Sequence, residues 1–239
     1  MARAGRIVGD TLALMRRIVK PGLSTEDLDR EAEQFIRSHQ GATPSFLGLY
    51  GFPKTLCVSI DDEIVHGIPS SSRLLEEGSI VSVDVGVCID GLHADAATTI
   101  PVGTIAPAAQ RLLDVTERAL AAGVAAAVAG NHVGDIGHAV QTVAEGAGFG
   151  VVRELVGHGI GTRFHEEPQV PNIGTPHRGP QLRPGMTLAI EPMITAGNPA
   201  TRTLRDKWTV VTQDGSLAAH FEHTVVVENG QPRVLTRPG

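Results

Sequence analysis

The segment from Ser79 to Ile100 constrains this chain more than any other. Ile80 and Ser82 alternate with Val81, Val83 and Val85. Asp90-Gly91 then supplies a two-residue turn, and His93 to Ile100 returns, so the pattern predicts a β-hairpin. A two-residue turn also sets the register, with position 84 opposite 97 and 86 opposite 95. Asp84 and Asp95 then share one face as diagonal neighbours, roughly 7–8 Å apart at Cα. Two carboxylates that close, on strands otherwise built of Val and Ile, repel one another unless a cation lies between them. The other reading of the pair is a simply solvated strand face.

Helical patterns flank the hairpin. From Ile7 to Val19 apolar residues recur at helical spacing until Lys20-Pro21-Gly22 stops them. Ser24 caps a second helix that runs to His39-Gln40-Gly41. Residues 43–78 read as Gly- and Pro-rich loops framing one strand, Leu56 to Ile60. Beyond the hairpin, Leu112 to Val128 and Val133 to Ala147 predict two more helices. Met186 to Glu191, Lys207 to Thr212 and Ala219 to Glu228 have strand composition within Gly- and Pro-dense sequence. Helices, strands, helices, strands is an α+β order that leaves room for a pseudo-symmetric duplication. A chain of 239 residues, 41% of them hydrophobic, suits one core, so a single domain over residues 1–239 is expected.

Composition removes several classes. No stretch approaches the ~20 apolar residues that span a bilayer. A net charge of −6 gives no general attraction to nucleic acid or anionic lipid. Two cysteines, Cys57 and Cys88, outside any CxxC spacing exclude a disulfide scaffold and a zinc finger. The first twenty residues hold no clean apolar stretch of a signal peptide, so a cytoplasmic location is expected.

Three further segments repeat the anomaly of the hairpin. Gly157-His158-Gly159-Ile160-Gly161 clears side chains from around one imidazole, as close approach of backbone requires. Ala189-Ile190-Glu191-Pro192 ends an apolar strand in a carboxylate, and Glu222 projects from an otherwise apolar strand. Singly, His158 reads as a loop histidine and each Glu as a rim residue. Jointly, two Asp, two Glu and one His offer more anionic oxygens than one divalent ion needs, with too little sulfur or nitrogen for structural zinc. A two-metal centre bridged by carboxylates uses them economically.

Over essentially its whole length the chain resembles type I methionine aminopeptidases. The resemblance is carried by Gly51-Phe52-Pro53-Lys54, Val65-His66-Gly67-Ile68-Pro69, Asp84 with Asp95, Gly157-His158-Gly159-Ile160-Gly161, Phe164-His165-Glu166-Glu167-Pro168, Ile190-Glu191-Pro192-Met193, Trp208, and Phe221-Glu222-His223-Thr224. It implies the pita-bread fold, a pseudo-two-fold antiparallel sheet with helices on its outer face. It also implies removal of N-terminal methionine from peptides and nascent chains with a small second residue. Asp84 would chelate one metal, His158 and Glu191 the other, and Asp95 and Glu222 would bridge both, with a bridging hydroxide as nucleophile. The metals would be two divalent ions, cobalt, manganese, iron or zinc. Glu191 could also relay a proton, while His165 would face the scissile carbonyl and His66 the peptide nitrogen.

The implied methionine pocket is walled by Cys57, Phe52, Leu49, Phe164 and Trp208, with Phe46 nearby. Leu49 stands where bacterial members commonly carry Tyr, Phe46 where Cys is common, and Ala94 where Gly is common. A cytoplasmic monomer with transient ribosome contact, no membrane association and no specific nucleic acid partner is the implied setting. Two rivals share the fold. Prolidase or aminopeptidase P shares the five ligands but usually carries an extra N-terminal domain, and here 65 residues precede His66. A non-catalytic peptide-binding member typically loses ligands, and here all five stand in place.

Overall fold

The computed structural model describes residues 1–239. Two helices, α1 (Ala2–Ile18) and α2 (Thr25–Arg37), precede the hairpin, and two more, α3 (Pro107–Ala126) and α4 (Val133–Gly146), follow it. Helix α1 starts five residues before the apolar periodicity indicates. Its early turns carry Gly5 and Gly9, and a Cβ on either would lie 2.4 Å from the Leu235 carbonyl oxygen or 2.6 Å from the Arg237 carbonyl carbon. The chain's C-terminal segment lies in that groove, so packing rather than a hydrophobic stripe extends the helix. Helix α2 is closed by a capping box in which Asp27 N–H donates to Ser24 Oγ at 3.1 Å and Ser24 N–H to Asp27 Oδ2 at 3.2 Å.

The hairpin forms from Ile80–Ile89 and Leu92–Pro101 around Asp90-Gly91, both in the left-handed region with φ of 53° and 72°. Asp84 pairs with Ala97 and Gly86 with Asp95, the register the two-residue turn demands. Leu56–Ile60 pairs along the other edge of the first arm. Helices α1 and α2 close this sheet from outside through a core of Val8, Leu12, Met15, Leu28 and Ile36 against Val81, Val83, Val85 and Val87.

The second half repeats the plan. A five-stranded antiparallel sheet runs in the order Arg233–Val234, His223–Val226, Thr187–Ile190, Gly157–Gly159, Glu166–Val170. Its core joins Leu112, Leu120 and Ile136 of α3 and α4 to Leu188, Ile190 and Val225. Side-chain and backbone hydrogen bonds stitch the halves together. Thr224 Oγ1 donates to the Asp95 carbonyl at 2.7 Å and accepts from Asp95 N–H at 2.9 Å. His220 N–H likewise donates to Thr99 Oγ1 at 2.9 Å, and Glu222 N–H to the Ala97 carbonyl at 2.9 Å.

Three segments differ from the sequence reading. Glu63–Val65 forms a short strand within the region read as loop, too brief for periodicity to show. His158 lies on Gly157–Gly159, an inner strand of the five, rather than in a loop. The expected continuous strand from Ala219 to Glu228 is broken at Phe221-Glu222, because Ala218–His220 pairs with Met193–Thr195 while His223–Val226 pairs with Thr187–Ile190 in another sheet. The strand it pairs with breaks at the same level, at Glu191-Pro192. Carrying the registers Ile190↔His223 and Met193↔His220 across the gap sets Glu191 opposite Glu222. Two apolar ladders that change sheets together thus leave two carboxylates facing one another at the joint.

Candidate metal centre and substrate pocket

Every residue singled out for chemistry lines one cavity of about 140 Å³ at the junction of the two halves. Its walls include Asp84, Asp95, His158, Glu191 and Glu222, with His66, His165, Cys57, Phe52, Leu49, Phe164 and Trp208. Asp84, Asp95, His158 and Glu222 are all buried, Glu222 being only 1% exposed. Oδ1 of Asp84, Oδ1 of Asp95 and Oε1 of Glu222 have no hydrogen-bond partner. Buried carboxylate oxygens without donors are costly, and three of them lining one cavity are a donor set that fits a cation.

The histidine suits the same purpose. His158 Nδ1 lies 2.8 Å from the Gly159 carbonyl, which holds the proton on Nδ1 and leaves the Nε2 lone pair free, 3.7 Å from Glu191 Oε1. Its flanking glycines admit the neighbouring strands. A Cβ on Gly157 would lie 2.3 Å from the Ala189 carbonyl oxygen, and one on Gly159 2.2 Å from that of Glu167. Both obstacles are backbone, so Gly159→Ala is expected to lower stability by about 1–3 kcal/mol, read as a shift in the urea midpoint. A midpoint like the parent's would show that the strands are not so tightly opposed.

Electrostatics carries the same message. Burial raises Asp84 to about 7. Asp95 is driven well above the carboxylate range by burial and then by Glu222 and Asp84, and Glu191 by burial and then by Asp95 and Asp84. Glu222 rises by burial and by Glu191. Each folded value exceeds the unfolded one, so the metal-free native state holds extra protons. That stabilising contribution is complete below the unfolded pKa of about 4 and is lost as pH rises through the folded value, about 7 for Asp84. Burial holds His66, His158 and His220 below the ordinary imidazole value, which works in the opposite sense up to about pH 6.5, so the thermal midpoint of metal-depleted protein is expected to fall between about pH 6.5 and about pH 8, and added divalent metal to flatten the fall. A metal-free midpoint that rises over this interval would contradict the arrangement.

The apolar wall is an aromatic cluster. Phe46 meets Phe164 edge-on at 5.4 Å between ring centres, and Phe52 meets Trp208 at 5.1 Å. Gly86, directly opposite Asp95, makes this possible, since a Cβ there would lie 2.7 Å from the Phe164 ring. Phe46 is thus a full wall member, and Leu49 lines the same cavity from a short turn, Leu49–Gly51, in which Tyr50 takes a left-handed backbone with φ of 51°.

Two histidines crown the cavity. His66 holds a left-handed backbone with φ of 61°, unusual for a non-glycine and typical of functional sites. The following Gly67 packs on Val58, whose N–H donates to its carbonyl at 2.8 Å, so the segment is pinned beside the first sheet. Burial lowers His66 to about 4 and also lowers His165, so both are neutral donors at pH 7. The His165 ring lies 4.3 Å from that of His158.

Two neighbours escaped the sequence reading. Tyr50 stacks on His165 at 5.7 Å, with its hydroxyl 3.3 Å from Nδ1. His220 is 1% exposed, with Nε2 3.8 Å from Glu191 Oε2 and 3.9 Å from Glu222 Oε2. The signal for His220 was its place two residues before Glu222, at the end of the strand that runs into the break.

A helix-backed, twofold-repeated antiparallel fold around three buried carboxylates, a fourth at 15% exposure and one free imidazole nitrogen is the arrangement of a metallohydrolase. The family model for metallopeptidase family M24 matches residues 1–229, and the chain belongs to that family. It is 50% identical to a methionine aminopeptidase of Clostridium perfringens over 236 residues, 99% of this chain and 94% of that protein. The crystal structure of methionine aminopeptidase from Thermotoga maritima superposes with a TM-score of 0.97 at 40% identity, covering 99% of this chain and 95% of that one. Prolidase from Pyrococcus furiosus shares the fold at a TM-score of 0.76 and 18% identity, and this chain spans 63% of its length.

Proposed function

We propose that the chain, acting as one catalytic domain over residues 1–239, removes N-terminal methionine from peptides and nascent proteins whose second residue is small. The observation that carries this reading is the meeting, in one cavity, of the donor-poor carboxylates with a narrow apolar wall. Two divalent ions would be held by Asp84, Asp95, His158, Glu191 and Glu222, with Asp95 and Glu222 shared between them. A metal of this kind supplies a water acidic enough to act as nucleophile at neutral pH.

The protein's own groups do the rest. Phe52, Leu49, Cys57, Phe164 and Trp208 surround an unbranched thioether side chain, exclude water and orient the scissile bond toward the carboxylates. His165 donates to the carbonyl oxygen as it gains negative charge, and Tyr50 steadies its ring. His66 faces the peptide nitrogen. Glu191 holds a proton between the attacking water and the leaving amine. The setting proposed is a cytoplasmic monomer with transient ribosome contact, and no helix is long and apolar enough to cross a membrane.

Carboxylate-rich sites with one imidazole suit manganese, iron, cobalt or zinc. The test is hydrolysis of Met-Ala, Met-Lys and Ala-Pro peptides by metal-depleted protein reconstituted with each ion. Met-Ala cleavage well ahead of Met-Lys is expected. Preference for the X-Pro substrate would move the assignment to prolidase or aminopeptidase P.

A further inference from the structure

A second group of metal-ligand side chains is assembled at the start of α4, away from the carboxylate cavity. His132 is the residue that caps the helix, Asp135 stands in its first turn, and His177 comes from the loop that leads to Thr187–Ile190. His132 Nδ1 lies 3.8 Å from Asp135 Oδ2, and His177 Nδ1 lies 3.8 Å from Asp135 Oδ1. One donor atom from each residue falls within 4.8 Å of the other two. Those separations are too long for hydrogen bonds. The two 3.8 Å separations, one to each oxygen of Asp135, lie a few tenths of an ångström above the spacing of donors around one ion, since bonds of about 2.0–2.2 Å at tetrahedral angles set neighbouring ligand atoms roughly 3.3–3.5 Å apart.

Backbone hydrogen bonds hold the frame without the two imidazoles. Val133 N–H donates to the Pro180 carbonyl at 3.0 Å, Gly134 N–H to Arg178 at 2.9 Å, and Leu182 N–H to Asn131 at 2.7 Å. Gly134 and Gly137 admit the loop so closely that a Cβ on them would lie 2.3 Å from the Thr175 carbonyl oxygen and 2.4 Å from that of Ile173. The two imidazoles are therefore carried on backbone already in register.

Asp135 is oriented between them, because its oxygens accept from His132 N–H at 2.7 Å and His177 N–H at 3.0 Å. Each oxygen keeps a second lone pair. His132 Nδ1 is buried without a hydrogen-bond partner. His177 is 83% exposed at its side chain, which leaves the cluster open to ions from solvent.

We propose that His132, Asp135 and His177 form a second metal site that takes one zinc-class divalent cation, with solvent completing its coordination. Two imidazole nitrogens and one carboxylate select zinc, nickel or copper over magnesium or calcium. Its role is that of a clamp, tying the loop around residue 177 to the first turn of α4 at the edge of the second half.

Equilibrium dialysis of metal-depleted protein against zinc chloride tests this with His132→Asn and His177→Asn. Asn keeps the cap at 132 and tolerates the left-handed backbone at 177, where φ is 61°. Wild type is expected to bind one zinc equivalent more than either variant, and to gain more in thermal midpoint on zinc addition. All three proteins loaded with manganese are expected to hydrolyse Met-Ala peptides alike. Equal zinc stoichiometry in wild type and both variants would overturn the site, and that result leaves the aminopeptidase reading untouched.

Discussion

Replacing Asp95 or Glu222 by alanine is expected to cost more activity than any other single change in the cavity. Both side chains are almost fully buried, at 4% and 1% exposure, and each has an oxygen with no hydrogen-bond donor. Each also stands on the seam between the halves, Asp95 through Thr224 and Glu222 through the Ala97 carbonyl. A carboxylate shared by two ions takes both with it when removed. Metal content is therefore expected to fall from two equivalents to one or none, and kcat/KM by about three decades or more, roughly 4 kcal/mol in the barrier. The same change acts in the opposite sense on the metal-free protein. There the carboxylates raise one another's pKa, so deleting one relieves repulsion and the metal-depleted variant should melt above metal-depleted wild type near pH 8. Elemental analysis, steady-state kinetics and thermal melts on one preparation decide the matter. Two retained equivalents with near-normal turnover would refute the shared-ligand role.

His165→Ala is expected to lower turnover strongly while metal content stays intact. His165 lies seven residues beyond His158, its ring 4.3 Å from the His158 ring on the side of the cavity that Phe164 and Tyr50 also line. Burial lowers its pKa, which keeps it a neutral donor at physiological pH rather than a cation competing with the metals. A donor aimed at a developing oxyanion is worth on the order of 3–4 kcal/mol, about two to three decades, and the loss falls on kcat rather than KM. Lost metal would make His165 a ligand, and unchanged kcat a bystander. Tyr50→Phe removes only the hydroxyl near Nδ1, so it should reproduce a minor part of the effect.

Much of this was legible in the order of residues because it is local. Asp90-Gly91 admits a two-residue turn, a two-residue turn admits one register, and that register puts Asp84 and Asp95 on one face, as the structure has them. Ser24 announced the start of α2 for the same reason. The five ligand-type residues were visible as charges stranded in apolar or glycine-rich strands, and the whole-length resemblance tied them to one chemistry.

What lay out of reach depends on partners distant in sequence. Nothing near Gly5 and Gly9 tells that the C-terminal segment will lie across them and lengthen α1. Nothing near Glu222 tells that its strand changes sheets at Phe221, because the break is set by a partner strand about thirty residues earlier that breaks at Glu191-Pro192. His132 and His177 meet only because a loop is hydrogen-bonded to the start of a helix more than forty residues before it. The sequence by itself determined the hairpin, the four helices and the kinds of ligand present, through turn chemistry, periodicity and residue type. The tertiary structure decided which oxygens are left without donors and which rings face them, since burial and long-range pairing are properties of the packed chain and not of any segment.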